Sequence, residues 1–417
     1  MIEDIAHAAQ TSETSADPKG VWRCIDRLAS RKHKSLSMLK NKEGQWCVTD
    51  EQHRDTIVDH MVDNLHGVSI SESETHHPEL SLKLDERCSS QSSDWISNPI
   101  QVQAALNGCK IDKQGPPWQP SSAQWRLGDR AVAPYIFHMW KMIGKEECMP
   151  CQSATSCTFW INKPGKDPAF ISNRRGINAV EPVGKAYLTT LGEEISQKVA
   201  KTWYPTELGG LPKRGTTHAI AIAAELTHRV RRNKIHHAIF LGDEERAFDN
   251  QDRTRIASAL LKHAGDTPTV KRLLQRLNYT VYQSKAGELN ACAVIQEGSI
   301  QGDPNGPLLY TLTIHDYASE LLNAHENTTM IGTKSSIFPQ DNNRDPVTLQ
   351  TLFYLDDELD IIPFHLFSDV TNHLQRTFDI QDEWRKKLNY SKCSVLFNVT
   401  GRGSKKIRST IGTTVKV

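Results

Sequence analysis

The sequence predicts an α+β fold, a sheet backed by helices with acidic residues at strand ends, and three observations carry that prediction. Segments such as "PVGKAYLTTLGEEISQKVAKTW" and "TTHAIAIAAELTHRVRRNK" repeat apolar residues at helical spacing. Shorter apolar runs, "IHHAIFLGD" and "ACAVIQEGS" among them, read as strands interleaved with those helices. The run "TLFYLDDELDIIP" sets Asp356 and Asp357 between apolar flanks, as strand, turn, strand.

The elements follow in order. The polar start, "MIEDIAHAAQTSETSADPKG", predicts disorder over residues 1–20. Trp22, Ile25 and Leu28, then Ile57, Val58, Met61, Val62 and Leu65, predict a helical region over 21–70. The Ser-, Glu- and His-rich stretch that follows has no sustained period and predicts a flexible linker over 71–110. "DRAVAPYIFHMWKMIG" is a helix, and "SCTFWINKPGKDP" a strand halted by Pro-Gly. After the two long helices, the strand through Ile239, Phe240 and Leu241 ends at Asp243. "RTRIASALLKHAG" and "TPTVKRLLQRL" are helices, "YTVYQS" is a strand, and "NGPLLYTLTIHDYASELLNA" is a helix opened by Gly-Pro. The acidic hairpin, the helix "FHLFSDVTNHLQRTFDIQDEWRKKL" and the strand "SKCSVLFN" complete the chain.

Composition narrows the function classes. With 417 residues, 38% hydrophobic and 24% charged, the chain has ordinary globular make-up and a net charge of +1, so any basic surface is local. The first twenty residues lack the basic end and apolar run of a signal peptide, no run in the sequence approaches a membrane span, and the nine cysteines read as reduced thiols, which together predict an intracellular protein. Cys148, Cys151 and Cys157 begin like a zinc ligand set but lack a second half at zinc-finger spacing, so idle thiols are expected.

The carboxylates suggest chemistry when taken together. Asp243 ends one strand, Asp356 and Asp357 sit at a hairpin tip, and "GSIQGDPNGP" lies between them. Carboxylates from neighbouring strands can converge, and such hard oxygen ligands suit Mg²⁺ together with substrate phosphates. Two such ions can activate a hydroxyl and stabilise a leaving pyrophosphate. Because side chains alternate along a strand, Asp356 is expected to face Asp243, with Asp357 more peripheral.

These residues resemble a reverse transcriptase of the non-LTR, LINE-type retrotransposon family. "DEERAFD", "GSIQGDP" and "YLDD" resemble its palm motifs; "INKPGKDP", "RRGINAV" and "GLPKRGTTHAI" resemble its fingers motifs; "KKLNYSKCSVLF" resembles its helix-loop-lysine motif. They occur in the family's order over residues 155–400. The resemblance implies a right-hand polymerase, with fingers over 111–239 and an antiparallel palm over 240–417. It implies RNA-directed DNA synthesis from an RNA template, a DNA primer and deoxynucleoside triphosphates, with two Mg²⁺ ions or Mn²⁺ in their place.

Residue by residue, it assigns Asp243, Asp356 and Asp357 to the metals and Lys392 to a proton donor near the leaving pyrophosphate. Phe248 takes the place of the aromatic that blocks a ribose 2′-OH. Gln301 and Gly302 take positions that contact nucleotide and template, and Lys163 and Arg175 hold the triphosphate. Departures lie beside these positions: Arg246 stands where Lys is usual, Gly176 where Pro is usual, and Asn305 and Gly306 within "DPNGP". The chain stops before the family's primer grip and thumb, so a thumb is expected to be missing. A viral RNA-dependent RNA polymerase fits "QGDP", "YLDD" and Phe248 less well, whereas an intron maturase or telomerase-like enzyme shares more of the motifs. From another class, the alternative is a truncated, inactive remnant that binds nucleic acid through "HRVRRNK", with Arg229, Arg231, Arg232 and Lys234.

Overall fold

The computed structural model describes residues 38–76, 83–89, 98–110, 120–145, 150, 153, 155–200, 202–203, 207–211, 213–232, 234–325, 351–400 and 404. The helices are α1 (Asp50–Leu65), α2 (Pro99–Gly108), α3 (Ser122–Leu127), α4 (Asp129–Lys145), α5 (Pro182–Val199), α6 (Thr216–Arg232), α7 (Arg253–Ala264), α8 (Pro268–Asn278), α9 (Gly306–Ala324) and α10 (Phe367–Glu383). The strands are β1 (Gly67–Ser69), β2 (Thr155–Asn162), β3 (Arg174–Ala179), β4 (His237–Asp243), β5 (Val281–Ala286), β6 (Leu289–Ile295), β7 (Thr351–Tyr354), β8 (Asp357–Pro363) and β9 (Ser394–Asn398).

Local chemistry sets several helix starts. The Thr49 side chain accepts from the Gln52 backbone while Gln52 reaches back, a capping box that opens α1. Asn98, Asp252 and Thr267 cap α2, α7 and α8, with Pro99 and Pro268 in first-turn positions where a missing N–H costs nothing.

Among the described residues the fold is α+β with two sheets. One has five strands in the order β1-β6-β5-β2-β3, antiparallel except for the parallel β2–β5 pair. The other has four antiparallel strands in the order β7-β8-β4-β9. A large core of α2, α4, α5, α7, α8 and α9 residues, with Trp140, Tyr187 and Leu188 fully buried, holds the helices together. A second core packs Ile57, Met61 and Leu65 of α1 onto Tyr282, Ala291 and Ala293 of the five-stranded sheet.

Three expectations are corrected. The helical region over 21–70 contains α1 but continues into β1, because Gly67 to Ser69 pair with Ala293 to Ile295 at the sheet edge; residues 1–37 lie outside the described residues. The linker over 71–110 contains the capped helix α2, whose Val102 and Leu106 are in the main core. It also contains the turn Leu84–Arg87, pinned by the Leu84 N–H donating to Asn278 Oδ1 at 3.0 Å. Burial of so few apolar side chains leaves no long periodic signal. A division at 239/240 also fails to follow the sheets, since β5 and β6, from 281–295, join β2 and β3.

Candidate active site

The four-stranded sheet brings the acids together. Antiparallel pairing runs from His237 opposite Pro363 to Asp243 opposite Asp357, so the last residue of β4 faces the first of β8. Directly opposed residues share a face, hence Asp357 is the cross-strand partner of Asp243. This corrects the expectation that Asp356 takes that place: the two-residue turn between Tyr354 and Asp357 removes Asp356 from the ladder, and alternation along a strand no longer orders it. Leu355, in that turn, has φ 55°, unusual for a bulky residue.

Lys392 arrives from the other side. Asn389 N–H donates to the Asp243 carbonyl at 2.8 Å, and the turn that follows carries Lys392 back so that its Nζ lies 2.9 Å from Asp243 Oδ2 and 3.1 Å from Oδ1. Burial, then the Asp243 and Glu244 charges, raise the Asp356 pKa; burial, then Asp356 and Asp243, raise that of Asp357. An open groove of about 500 Å³ runs between α6 and the sheet and ends at Asp243, Asp357 and Lys392. Its remaining wall is mainly apolar, including Ile220, Leu241 and Leu352.

The second group of expected residues lies on and beside the five-stranded sheet. The β2–β3 hairpin places Lys163 just past β2, its N–H donating to the Asn173 carbonyl at 3.0 Å, and Arg175 opposite Ile161. Burial lowers the Lys163 pKa, and Arg246, Arg175 and Lys392 lower it further by repulsion. The hairpin and the acid-bearing sheet therefore share one electric field.

Phe248 follows β4 and stacks on Tyr310, ring centroids 4.8 Å apart at 20°. The Gln301 carbonyl accepts from both the backbone N–H and the Nδ2 of Asn178, at 3.0 and 2.9 Å. Gly302 has φ 102°, and a Cβ there would meet the Asn178 carbonyl at 2.3 Å. Glycine at 302 is thus required by contact with β3. Asp303 is buried and accepts from Arg276 Nε at 3.1 Å, which ties this loop to α8.

Several contributing residues carried no assignment from the sequence. Leu208 N–H donates to the Phe353 carbonyl at 2.9 Å, and the adjoining Gly209 lies so close to the acidic turn that a Cβ would meet Leu355 N at 2.3 Å. The signal was the Gly-Gly pair of "LGGLPKRG". Behind the acids, Tyr310 Oη donates to Glu244 Oε2 at 2.8 Å, and Lys386 pairs with the same carboxylate. Buried Glu358 accepts from Tyr317 Oη at 3.1 Å and Gln381 Nε2 at 3.2 Å, and burial raises its pKa to about 7. Of the three clustered cysteines, Cys157 is buried, with its thiol pushed up to about 11, while Cys148 and Cys151 lie outside the described residues. Arg231, Arg232 and Lys234 are exposed at and just beyond the end of α6.

Among the described residues no group of three or more His, Cys, Asp or Glu side chains forms a ready metal cage. The donor set is nevertheless of the right chemistry for a hard cation: two opposed carboxylates and a third in the adjoining turn, two of them with raised pKa values from burial and mutual repulsion. Among the described residues no helix is long and apolar enough to cross a membrane. The sequence matches no family model.

Proposed function

We propose that this chain is an RNA-directed DNA polymerase of the non-LTR retrotransposon type, acting by two-metal nucleotidyl transfer. The observation that carries the reading is the register of β4 and β8, which sets Asp243 opposite Asp357 with Asp356 in the turn beside them. Asp243, Asp356 and Asp357 are the residues that would hold Mg²⁺ or Mn²⁺, completed by substrate phosphates as is usual for Mg²⁺. Bound there, such ions supply activation of the primer 3′-hydroxyl and stabilisation of the leaving pyrophosphate.

The rest of the work falls to protein groups. Lys163 and Arg175 attract the triphosphate. Lys392, beside Asp243, holds a proton that can pass to the departing pyrophosphate oxygen. Phe248, held by its stack on Tyr310, is the ring against which a 2′-hydroxyl would clash. The test is deoxynucleotide incorporation on an RNA template by the full chain, with Asp243→Asn as the control.

A further inference from the structure

We propose that helix α1, outside the span that resembles a polymerase, is part of the nucleotide site: its Asn64 positions Arg246, which with Lys163 and Arg175 binds the triphosphate of the incoming nucleotide. The proposal rests on the polymerase reading and extends it to two residues for which that reading has no role.

Geometry supports it first. Arg246 Nη1 donates to Asn64 Oδ1, a contact between residues 182 positions apart. Asn64 is itself held, its amide 3.0 Å from His60 Nδ1. His60 is buried and packs edge-on against Trp160 of β2, ring centroids 5.2 Å apart, and Trp160 Nε1 donates to Ser284 Oγ of β5 at 3.0 Å. A chain of fixed side chains therefore runs from the five-stranded sheet through α1 to the Arg246 guanidinium. At its other end the Arg246 backbone is held at φ 53°, with its carbonyl accepting from Asp249 and Asn250 at 2.8 and 3.0 Å. A non-glycine residue in that region is sparsely populated and persists where its surroundings fix it.

Electrostatics points the same way. Arg246 and Arg175 both bear on Lys163, and all three bear on Asp249. Burial raises Asp249 to about 6 in spite of them, so at neutral pH it is one ionised carboxylate facing three cations, and a positive surplus remains. Burial and the Arg246 and Lys163 charges lower the His60 pKa to about 4, which leaves the ring neutral at physiological pH and able to accept from the Asn64 amide. The nearest acid along α1, Asp63, is engaged by Lys42 at 2.5 Å. An anion with several oxygens suits the surplus, and the Arg fork suits phosphate.

The experiment is calorimetric binding of deoxythymidine α,β-methylene triphosphate, with Mg²⁺, to the full chain and its variants. Arg246→Ala should weaken binding roughly 10- to 100-fold, the range for lost hydrogen bonds to a charged group. Asn64→Ala should weaken it about three- to tenfold, and should add nothing in the Arg246→Ala background, a non-additivity that a merely structural role would not give. Arg246→Lys should recover part of the loss. Unchanged affinity in Arg246→Ala, with affinity lost in Lys163→Ala, would overturn this inference and leave the nucleotide site standing. An additive Asn64 effect would overturn the positioning role. Absence of binding by the wild-type chain, or binding indifferent to Lys163→Ala and Arg175→Ala, would overturn both the inference and the reading beneath it.

Discussion

Lys392 and Asp243 form an ion pair, Nζ to Oδ2 2.9 Å, that occupies the carboxylate a metal ion would need. With 62% of its side chain exposed, Lys392 holds Asp243 only lightly, since exposed pairs contribute about 0–1 kcal/mol. Lys392→Met should therefore tighten Mg²⁺ binding roughly two- to fivefold. If Lys392 also donates the proton, the same variant should slow single-turnover incorporation by about 100-fold or more. Mg²⁺ titration and rapid-quench kinetics read the two effects separately. A variant that leaves both unchanged would remove Lys392 from the site.

Glu358 should govern part of the pH dependence of stability. Its pKa is raised from 4.5 to about 7 in the folded protein, so between those values the folded state retains a proton that the unfolded state releases. Stability then falls as pH rises through this window and levels off above it. Glu358→Gln should flatten that slope and raise stability at pH 8, by an amount on the order of 3 kcal/mol at most. Denaturant midpoints at pH 5 and pH 8 measure it; identical pH dependence in both proteins would contradict the assignment.

Gly209 should be intolerant of even one methyl group. The added Cβ would press on Leu355 N and on the Tyr354 carbonyl carbon, displacing the turn that carries Asp356. Gly209→Ala is expected to cost about 1–3 kcal/mol, as overpacking does, and to depress incorporation further than its stability loss explains. Gly215, with nothing within 4 Å of a Cβ, is the matched control for Ala substitution. Equal behaviour of the two variants would show that the turn does not depend on this contact.

Phe248→Val should admit ribonucleotides. The ring is fixed by its stack on Tyr310, so shortening it opens space without freeing a mobile neighbour. Discrimination between dNTP and rNTP, measured as the ratio of kcat/KM values, should fall roughly 10- to 100-fold. Unaltered discrimination would mean that Phe248 serves only the packing around Tyr310 and Tyr317.

Much of this arrangement was legible in the sequence, and for physical reasons. β4 and the β7–β8 hairpin were visible because apolar runs end abruptly in acids, and α5 and α6 because their apolar stripes are long. Register was not visible: alternation fixes which residues share a face within a strand, yet a turn of two residues decided that Asp357, not Asp356, stands opposite Asp243. Contacts such as Asn64 to Arg246 were equally hidden, since polar residues far apart in sequence leave no periodic trace. Nor could β1 be foreseen, three residues whose only claim to be a strand is a neighbour more than two hundred positions away.

The proposed nucleotidyl transfer depends on the opposed carboxylates of Asp243 and Asp357. Its most direct test is extension of a DNA primer on an RNA template by the full chain with Mg²⁺ and dNTPs, beside Asp243→Asn and Asp357→Asn. Template-dependent extension is expected from the wild type, with a loss on the order of 1,000-fold or more in both variants, a fraction of typical enzymatic rate enhancement. Background-level signal from the wild type, equal to that of Asp243→Asn, would contradict it.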